Sequence, residues 1–196
     1  ADVPLNATGR AQARDQGRAL RGRGLELIVS SHLVRARETA EIVRAELATQ
    51  GGALSDGRAP DGAGAAASAA PPLIVDPRLA ESDRGAWETR AFAEIIASEP
   101  DAWRRYREHP ESFRFPDGES LVEQQRRALA CLRDVVLDGR RALLVAHGGT
   151  MRLVRCFVEG RGIDTFHEDA TCNAVLQEIA RDDLAERIER FLLGNA

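Results

Sequence analysis

The run Arg141-Ala-Leu-Leu-Val-Ala146 passes without a break into His147-Gly148-Gly149 and then into a helical pattern from Thr150 to Val158. A short, unbroken apolar stretch of this kind reads as a strand buried on both faces, as in the centre of a parallel sheet. A helix that follows immediately makes the unit strand–turn–helix. That constrains the chain to an α/β architecture more than any other feature does.

The rest of the chain repeats the alternation. Thr8 to Arg21 reads as a helix with Thr8 as its N-cap, and Leu25 to Val29 as a strand. Leu33, Ala36, Ala40, Val43 and Leu47 fall on one face of a following helix. Leu73-Ile74-Val75 is a second strand. Two helical pieces follow, Thr89 to Ala97 and Pro100 to Glu108, divided at Pro100. Ser120 and Glu123 form a capping box ahead of a helix carrying Leu121, Leu129, Leu132 and Val136. Ala174 to Ile179 is expected to be a strand and Leu184 to Leu193 a helix. Strand–helix units in series imply a mostly parallel sheet flanked by helices on both faces. All 196 residues are expected to form one domain. Residues 50–72 are Gly/Ala/Pro-rich with little to bury. They are longer than the ~12–15 residues usual for an ordered loop, and read as a flexible surface insertion.

Composition excludes several function classes. Net charge is −4, so no basic field for nucleic acid exists. No apolar stretch reaches the ~18 residues of a membrane helix. Cys131, Cys156 and Cys172 match no zinc or redox spacing, and no cluster of His, Cys and carboxylates implies a metal. Buried free thiols suit a reducing compartment, so a cytoplasmic location is expected. No cofactor is called for. The chain contains no Lys, so every Lys-type role falls to Arg, whose planar fork suits bidentate phosphate contacts. The chain starts at Ala1 and its one Met is Met151, so an upstream segment or a cleaved leader is expected.

In parallel α/β sheets ligands bind at the carboxyl ends of strands. That rule selects Ser30 to Arg35 and His147 to Thr150. At the second, Gly148 and its neighbour let backbone N–H groups approach an anion at a helix N-terminus. At the first, Arg35 occupies a first helical turn, where a cation opposes the macrodipole, which marks it as a site candidate. Glu81, in the loop after the second strand, is a candidate general acid that needs a raised pKa to act. His32 falls near the strand edge and is a candidate pocket-lining residue. Arg84 is a candidate contact for an anionic substrate, whereas Arg104, Arg105 and Arg107 read as a solvated helix face. His109 and His167 read as exposed.

These residues fall within five blocks. They are Asp2-x-Pro4-Leu5-x-x-x-Gly9-x-x-Gln12-Ala13, Ser30-Ser31-x-Leu33-x-Arg35-Ala36-x-x-Thr39-Ala40, Leu79-x-Glu81-x-Asp83-x-Gly85-x-Trp87-Glu88, Gly118-Glu119-Ser120-Leu121 and Ala146-His147-Gly148-Gly149. In kind and order they resemble the histidine phosphatase (phosphoglycerate mutase-like) superfamily. The resemblance implies a three-layer sandwich and a small phosphorylated metabolite as substrate. It implies that Arg35 clamps the phosphoryl oxygens, that His147 stabilises transition-state charge, and that Glu81 protonates the leaving oxygen. Transfer would pass through a phosphohistidine.

The family's nucleophile lies in an Arg-His-Gly motif on a central strand ahead of the first block. No stretch of this sequence matches it. The expectation is therefore a domain whose first central strand is missing and which lacks its nucleophile as it stands. Two alternatives to a phosphatase remain: mutase-type transfer to a sugar-acid substrate, or a phosphate-binding protein without catalysis. Unpaired buried backbone groups cost roughly 1–3 kcal/mol each, against a net stability of ~5–15 kcal/mol. The chain alone is thus expected to associate through exposed strand edges. Sedimentation velocity across a concentration series checks this. A monomer with one cooperative unfolding transition is the contrary result.

Overall fold

The computed structural model describes residues 2–49, 70–168 and 175–194. Seven α-helices and three strands lie among them: α1 (Ala7–Ala19), β1 (Leu27–Ser30), α2 (Val34–Ala48), β2 (Leu73–Val75), α3 (Phe92–Ser98), α4 (Pro100–Glu108), α5 (Leu121–Asp138), β3 (Ala142–Val145), α6 (Gly148–Val158) and α7 (Leu184–Leu192). Short 3₁₀ turns occupy Pro77–Leu79, Gly85–Trp87 and Ile163–His167.

The strands form one parallel sheet in the order β2-β1-β3. Its register carries the functional consequence. Ser30 pairs with Val75 on one side and Val145 on the other. All three strands therefore end at one level. The segments that leave them, Ser31 to Arg35, Asp76 to Glu81 and His147 to Gly149, emerge along one edge.

Pleating sorts β1 between two layers. Leu27 and Val29 pack in a cluster with Leu79 and Cys131, with Val135, Ala142 and Leu144 against it, on the α5 side. On the other side α2 touches all three strands through a face bearing Ala36, Ala40 and Val43. α1 then packs on α2. Gly17 permits the close approach, since a Cβ there would lie 2.6 Å from Glu46 Cβ. A second layer of apolar contacts joins α5, α6 and α7 through Leu129, Val154, Leu184 and Ile188.

Several boundaries differ from the sequence reading for local reasons. α1 is capped by Asn6, whose side chain accepts the Gly9 N–H, so Thr8 lies inside the helix. α3 starts at Phe92 rather than Thr89, because Thr89 takes a left-handed φ of 64°. The capping box at Ser120 and Glu123 forms as read. β3 is not the fully buried strand. All four of its residues are half-buried, and it is β1 whose residues are all buried. The reason is position: β1 has a neighbour on each side, and no strand lies on the outer edge of β3 among the described residues.

Residues 175–179 form no strand, and Val175 is 60% exposed. An isolated extended segment has no ladder to hold it. Ala174 and Cys172 lie outside the described residues, as do residues 50–69 of the expected insertion. Pro72, its last residue, adjoins β2, and its carbonyl accepts the Ile28 N–H at 2.9 Å. Cys131 and Cys156 are buried free thiols. His167 is half-buried rather than exposed, with Nε2 2.8 Å from the Tyr106 carbonyl.

The loop after β2 is held by an aromatic cluster and by a backbone-to-backbone contact. Trp87, 1% exposed, meets Tyr106, Phe113 and Phe115 at ring centroid distances of 5.4–5.9 Å. Its Nε1–H donates to Glu99 at 2.9 Å. The Ala86 N–H donates to the Pro116 carbonyl at 2.8 Å, and the Glu119 N–H to the Asp83 carbonyl at 3.1 Å. Side chains are excluded where these loops meet. A Cβ on Gly85, whose φ is +49°, would lie 2.1 Å from the Pro116 oxygen. Gly85→Ala is expected to cost roughly 2–4 kcal/mol, from the left-handed backbone and the clash together. Urea unfolding measures it, and a loss within error of zero contradicts the contact.

Candidate active site

The common sheet edge brings together three of the residues selected from sequence: His147, Glu81 and Arg35. His147 lies two residues beyond the end of β3 and caps α6 from an extended conformation (φ −121°, ψ 160°). It is 7% exposed. Its Nε2 lies 2.8 Å from Ser31 Oγ, a bond that either atom can donate. Ser31 is itself fully buried and accepts the Leu33 N–H at 3.3 Å. One ring nitrogen is thus committed to the neighbouring strand end.

Burial, and next the positive charge of Arg35, push the His147 imidazole down to about 4. The ring is therefore neutral at neutral pH, and the formal positive charge of this corner is Arg35. The sign of the linkage follows. Between about 6.5 and about 4 the unfolded chain binds a proton that the folded chain refuses. Stability that is full above the ordinary histidine range is lost as pH falls through that window, by about 3 kcal/mol in all. Urea midpoints of the wild type and His147→Asn across this range check the effect. Parallel pH dependences of the two proteins contradict it.

Glu81 arrives from the β2 side. Its Oε2 accepts the Gly149 N–H at 3.2 Å, and its Oε1 accepts the Ser82 N–H at 3.1 Å. The α6 N-terminus therefore serves the carboxylate as well as the space beside His147. Gly149 has a steric reason to be glycine, since a Cβ there would lie 2.4 Å from Glu81 Oε1. Opposite charge also couples Glu81 to His147, opposing the downward shift of the imidazole.

Arg35, the second residue of α2, is half-buried and acts electrostatically on His147. Gly148 is the first helical residue of α6. His32 is exposed, on the rim, close enough that its charge disfavours protonation of His147. The Arg84 guanidinium sits 5.3 Å from the centroid of the Phe92 ring, and no hydrogen bond joins it to His147 or Glu81 among the described residues. It shares with Glu81 the surroundings of Tyr106, whose phenol burial pushes up.

Sequence reasoning assigned no role to the residues that hold the Glu81 loop. Arg127 donates to three backbone carbonyls of this loop: Arg78 O at 2.7 Å, Ala80 O at 2.8 Å and Glu81 O at 3.1 Å. Its charge is met by Glu119 in a two-point contact of 2.6 and 3.0 Å. The Thr150 hydroxyl donates to Ala80 O at 2.8 Å. The signal available was an oddity of pattern: Gln124 and Gln125 sit on the buried face of α5 with Leu121 and Ala128, and both are buried.

No group of three or more His, Cys, Asp or Glu is arranged to hold a metal among the described residues, and no helix is long and apolar enough to cross a membrane. An open cleft of about 550 Å³, lined by residues including Phe157, Arg161, Arg187 and Phe191, lies at the opposite end of α6 from His147.

Comparison with known proteins gives this edge its context. The sequence profile of the histidine phosphatase superfamily (branch 1) matches residues 1–52 and 57–192. A probable phosphoglycerate mutase of Enterobacter sp. (strain 638) is 35% identical over 150 residues, which are 75% of this chain and 59% of that protein. The chain thus spans less than two thirds of that relative's length. A putative phosphoserine phosphatase of Hydrogenobacter thermophilus is 28% identical over 179 residues, 91% of this chain and 77% of that protein. Among solved structures, a mycobacterial glucosyl-3-phosphoglycerate phosphatase superposes with a TM-score of 0.66 at 26% identity, covering 84% of this chain and 72% of its own. YhfR of Bacillus stearothermophilus gives 0.68 at 26% identity, with 86% and 74% covered. The parallel sheet, the five motif blocks and the matched profile agree, and this chain belongs to the histidine phosphatase superfamily.

Proposed function

We propose that the protein hydrolyses phosphate monoesters of small metabolites through a phosphohistidine, and that this chain supplies every part of the site except the nucleophile. The observation that carries this reading is the meeting of Glu81, Gly149 and His147 at one sheet edge, with Glu81 Oε2 3.2 Å from the Gly149 N–H. On this reading Glu81 is the proton donor, the neutral imidazole and the helix N-terminus are the phosphoryl contacts, and Arg35 is the cation. In the proposed step the P–O bond to the leaving group breaks as a histidine nitrogen bonds to phosphorus. Glu81 gives its proton to the departing oxygen. Arg35 and His147 hold the equatorial oxygens, whose charge grows. Water then takes the phosphoryl group, with Glu81 accepting its proton, and releases phosphate. The reading takes the attacking histidine from outside these 196 residues, in which no Arg-His-Gly occurs.

Two measurements test this. Phosphate release from p-nitrophenyl phosphate is expected for the full gene product, with an acid-labile, base-stable phosphoenzyme on rapid quench. Binding of inorganic phosphate to the chain, followed by ³¹P NMR, is expected to weaken sharply in Arg35→Ala. Absence of both turnover and binding rejects the reading. The likeness to a probable phosphoglycerate mutase supports a second reading, in which the phosphoryl group returns to a sugar-acid acceptor rather than water. Isotope-labelled 3-phosphoglycerate distinguishes the two by where the label goes.

A further inference from the structure

Gln124 has no place in the chemistry described so far, yet it sits at the centre of the site's buried polar network. It is fully buried in the second turn of α5, on a face otherwise turned to apolar neighbours. A buried amide is tolerated only where its polar atoms are satisfied. Here they are. The Gln124 Oε1 accepts from the Ser82 hydroxyl at 2.6 Å. The Nε2 donates one hydrogen to Thr150 Oγ1 at 3.0 Å and the other to Glu81 Oε1 at 3.2 Å.

The orientation of the amide is fixed by these partners. Rotating it by half a turn would set its oxygen against the Glu81 carboxylate and its NH₂ against the Ser82 hydroxyl. Thr150 cannot reverse its bond either, because its own hydrogen goes to the Ala80 carbonyl. The amide is therefore a donor aimed at one carboxylate oxygen, anchored at three points.

The result is an asymmetric carboxyl group. Glu81 Oε1 receives two N–H donors, from Gln124 and Ser82, and Oε2 receives one, from Gly149. A proton on Oε1 would have to displace a donor from a buried position. A proton on Oε2 displaces at most one N–H at the helix end that faces His147. We infer that Gln124 is a positioning residue that keeps Oε1 as an acceptor, places the Glu81 proton on Oε2, and stabilises the carboxylate left behind when that proton departs. This rests on the proposed role of Glu81 as proton donor. As the leaving P–O bond breaks, the proton passes from Oε2 to the departing oxygen, and the negative charge that appears on Glu81 is met by all three N–H groups.

The choice of a neutral amide matters. A cation in its place would hold Glu81 ionised and unable to donate. The nearby guanidinium, Arg127, is kept off the carboxylate: it is spent on backbone carbonyls and on Glu119. The other titratable groups acting near Glu81 are His147 and Tyr106, the latter with Arg84, Arg107 and Arg152 around it.

The test needs no turnover. Gln124→Met keeps the side-chain length and removes the donor. In protein labelled with ¹³C at glutamate carboxyl carbons, the Glu81 resonance is assigned by its loss in Glu81→Gln and titrated. The Gln124→Met midpoint is expected about one pH unit above the wild type. Ser82→Ala, which frees the amide oxygen with little change of volume, is expected to move it in the same direction by less, and it serves if Gln124→Met does not fold. Unchanged midpoints in both variants overturn the inference. The full gene product supplies a second readout. Gln124→Met should slow an alkyl phosphate ester at least tenfold more than p-nitrophenyl phosphate, whose leaving group needs no proton. Equal slowing of both esters overturns the positioning role. No turnover of either ester by the wild type would instead reject the phosphatase reading, and the titration would still decide the place of Gln124.

Discussion

Under the proposed reading, replacing His147 by Ala is expected to lower turnover of phosphate monoesters by about 10²- to 10³-fold, and Arg35→Ala by the same or more. The argument rests on what each group offers a phosphoryl group whose oxygens gain charge. His147 is buried, neutral at neutral pH, and fixed on one side by Ser31. The Ser31 contact fixes the ring plane, so a donor on this imidazole needs little reorganisation when charge develops. A buried donor is worth more than the same donor in water. Arg35 supplies the formal charge that the neutral imidazole does not. Loss of the donor should appear in kcat, because it matters most when charge is greatest, whereas loss of the cation should raise KM as well. The variants are compared on p-nitrophenyl phosphate with the full gene product. Turnover within a few-fold of wild type in His147→Ala would remove this residue from the site.

That pair of residues was open to sequence reasoning because each lies just beyond a strand that an apolar run reveals, Arg35 in the first turn of the helix after β1 and His147 at the cap of the helix after β3. β1 and β3 are short apolar runs, and the rule for parallel sheets carries the ligand site to their carboxyl ends. Glu81 was open only through its motif block, because nothing in the spacing of a loop says which carboxylate turns inward. The structure supplies the missing step through Arg127, which ties the loop's carbonyls to α5 across more than forty residues of sequence. Long-range contacts of this kind leave no periodic trace. The rank of β3 was misjudged for a related reason. An apolar run reports which residues avoid water and carries no information about how many neighbours a strand will have. Residues 175–179, expected to be part of a strand, show the same limit, since they take no place in the described sheet. Arg84 was read as a contact for an anionic substrate, and its guanidinium sits over the Phe92 ring.

Gly149→Ala is expected to separate stability from activity. Gly149 is the second residue of α6, in ordinary helical conformation, so alanine there favours the helix by about 1 kcal/mol. Sequence propensity alone would rank the change as an improvement. The obstacle is outside the helix: the new Cβ would lie 2.4 Å from Glu81 Oε1 and 3.4 Å from Oε2. The carboxylate is the end of a side chain and can retreat, so the fold survives. It cannot retreat and keep its bonds to Gly149, Ser82 and Gln124 together, because those donors are fixed by α6, the loop backbone and the buried amide. A displacement of about 1 Å at a reacting group costs roughly 10²-fold in rate. The expected variant therefore unfolds at the wild-type urea concentration or slightly above it, while losing about two orders of magnitude in turnover of an alkyl phosphate and much less of p-nitrophenyl phosphate. A variant that keeps full activity on the alkyl ester would mean that Glu81 does not donate the proton from this position. A variant that unfolds would mean that the carboxylate is held so firmly that α6 gives way first.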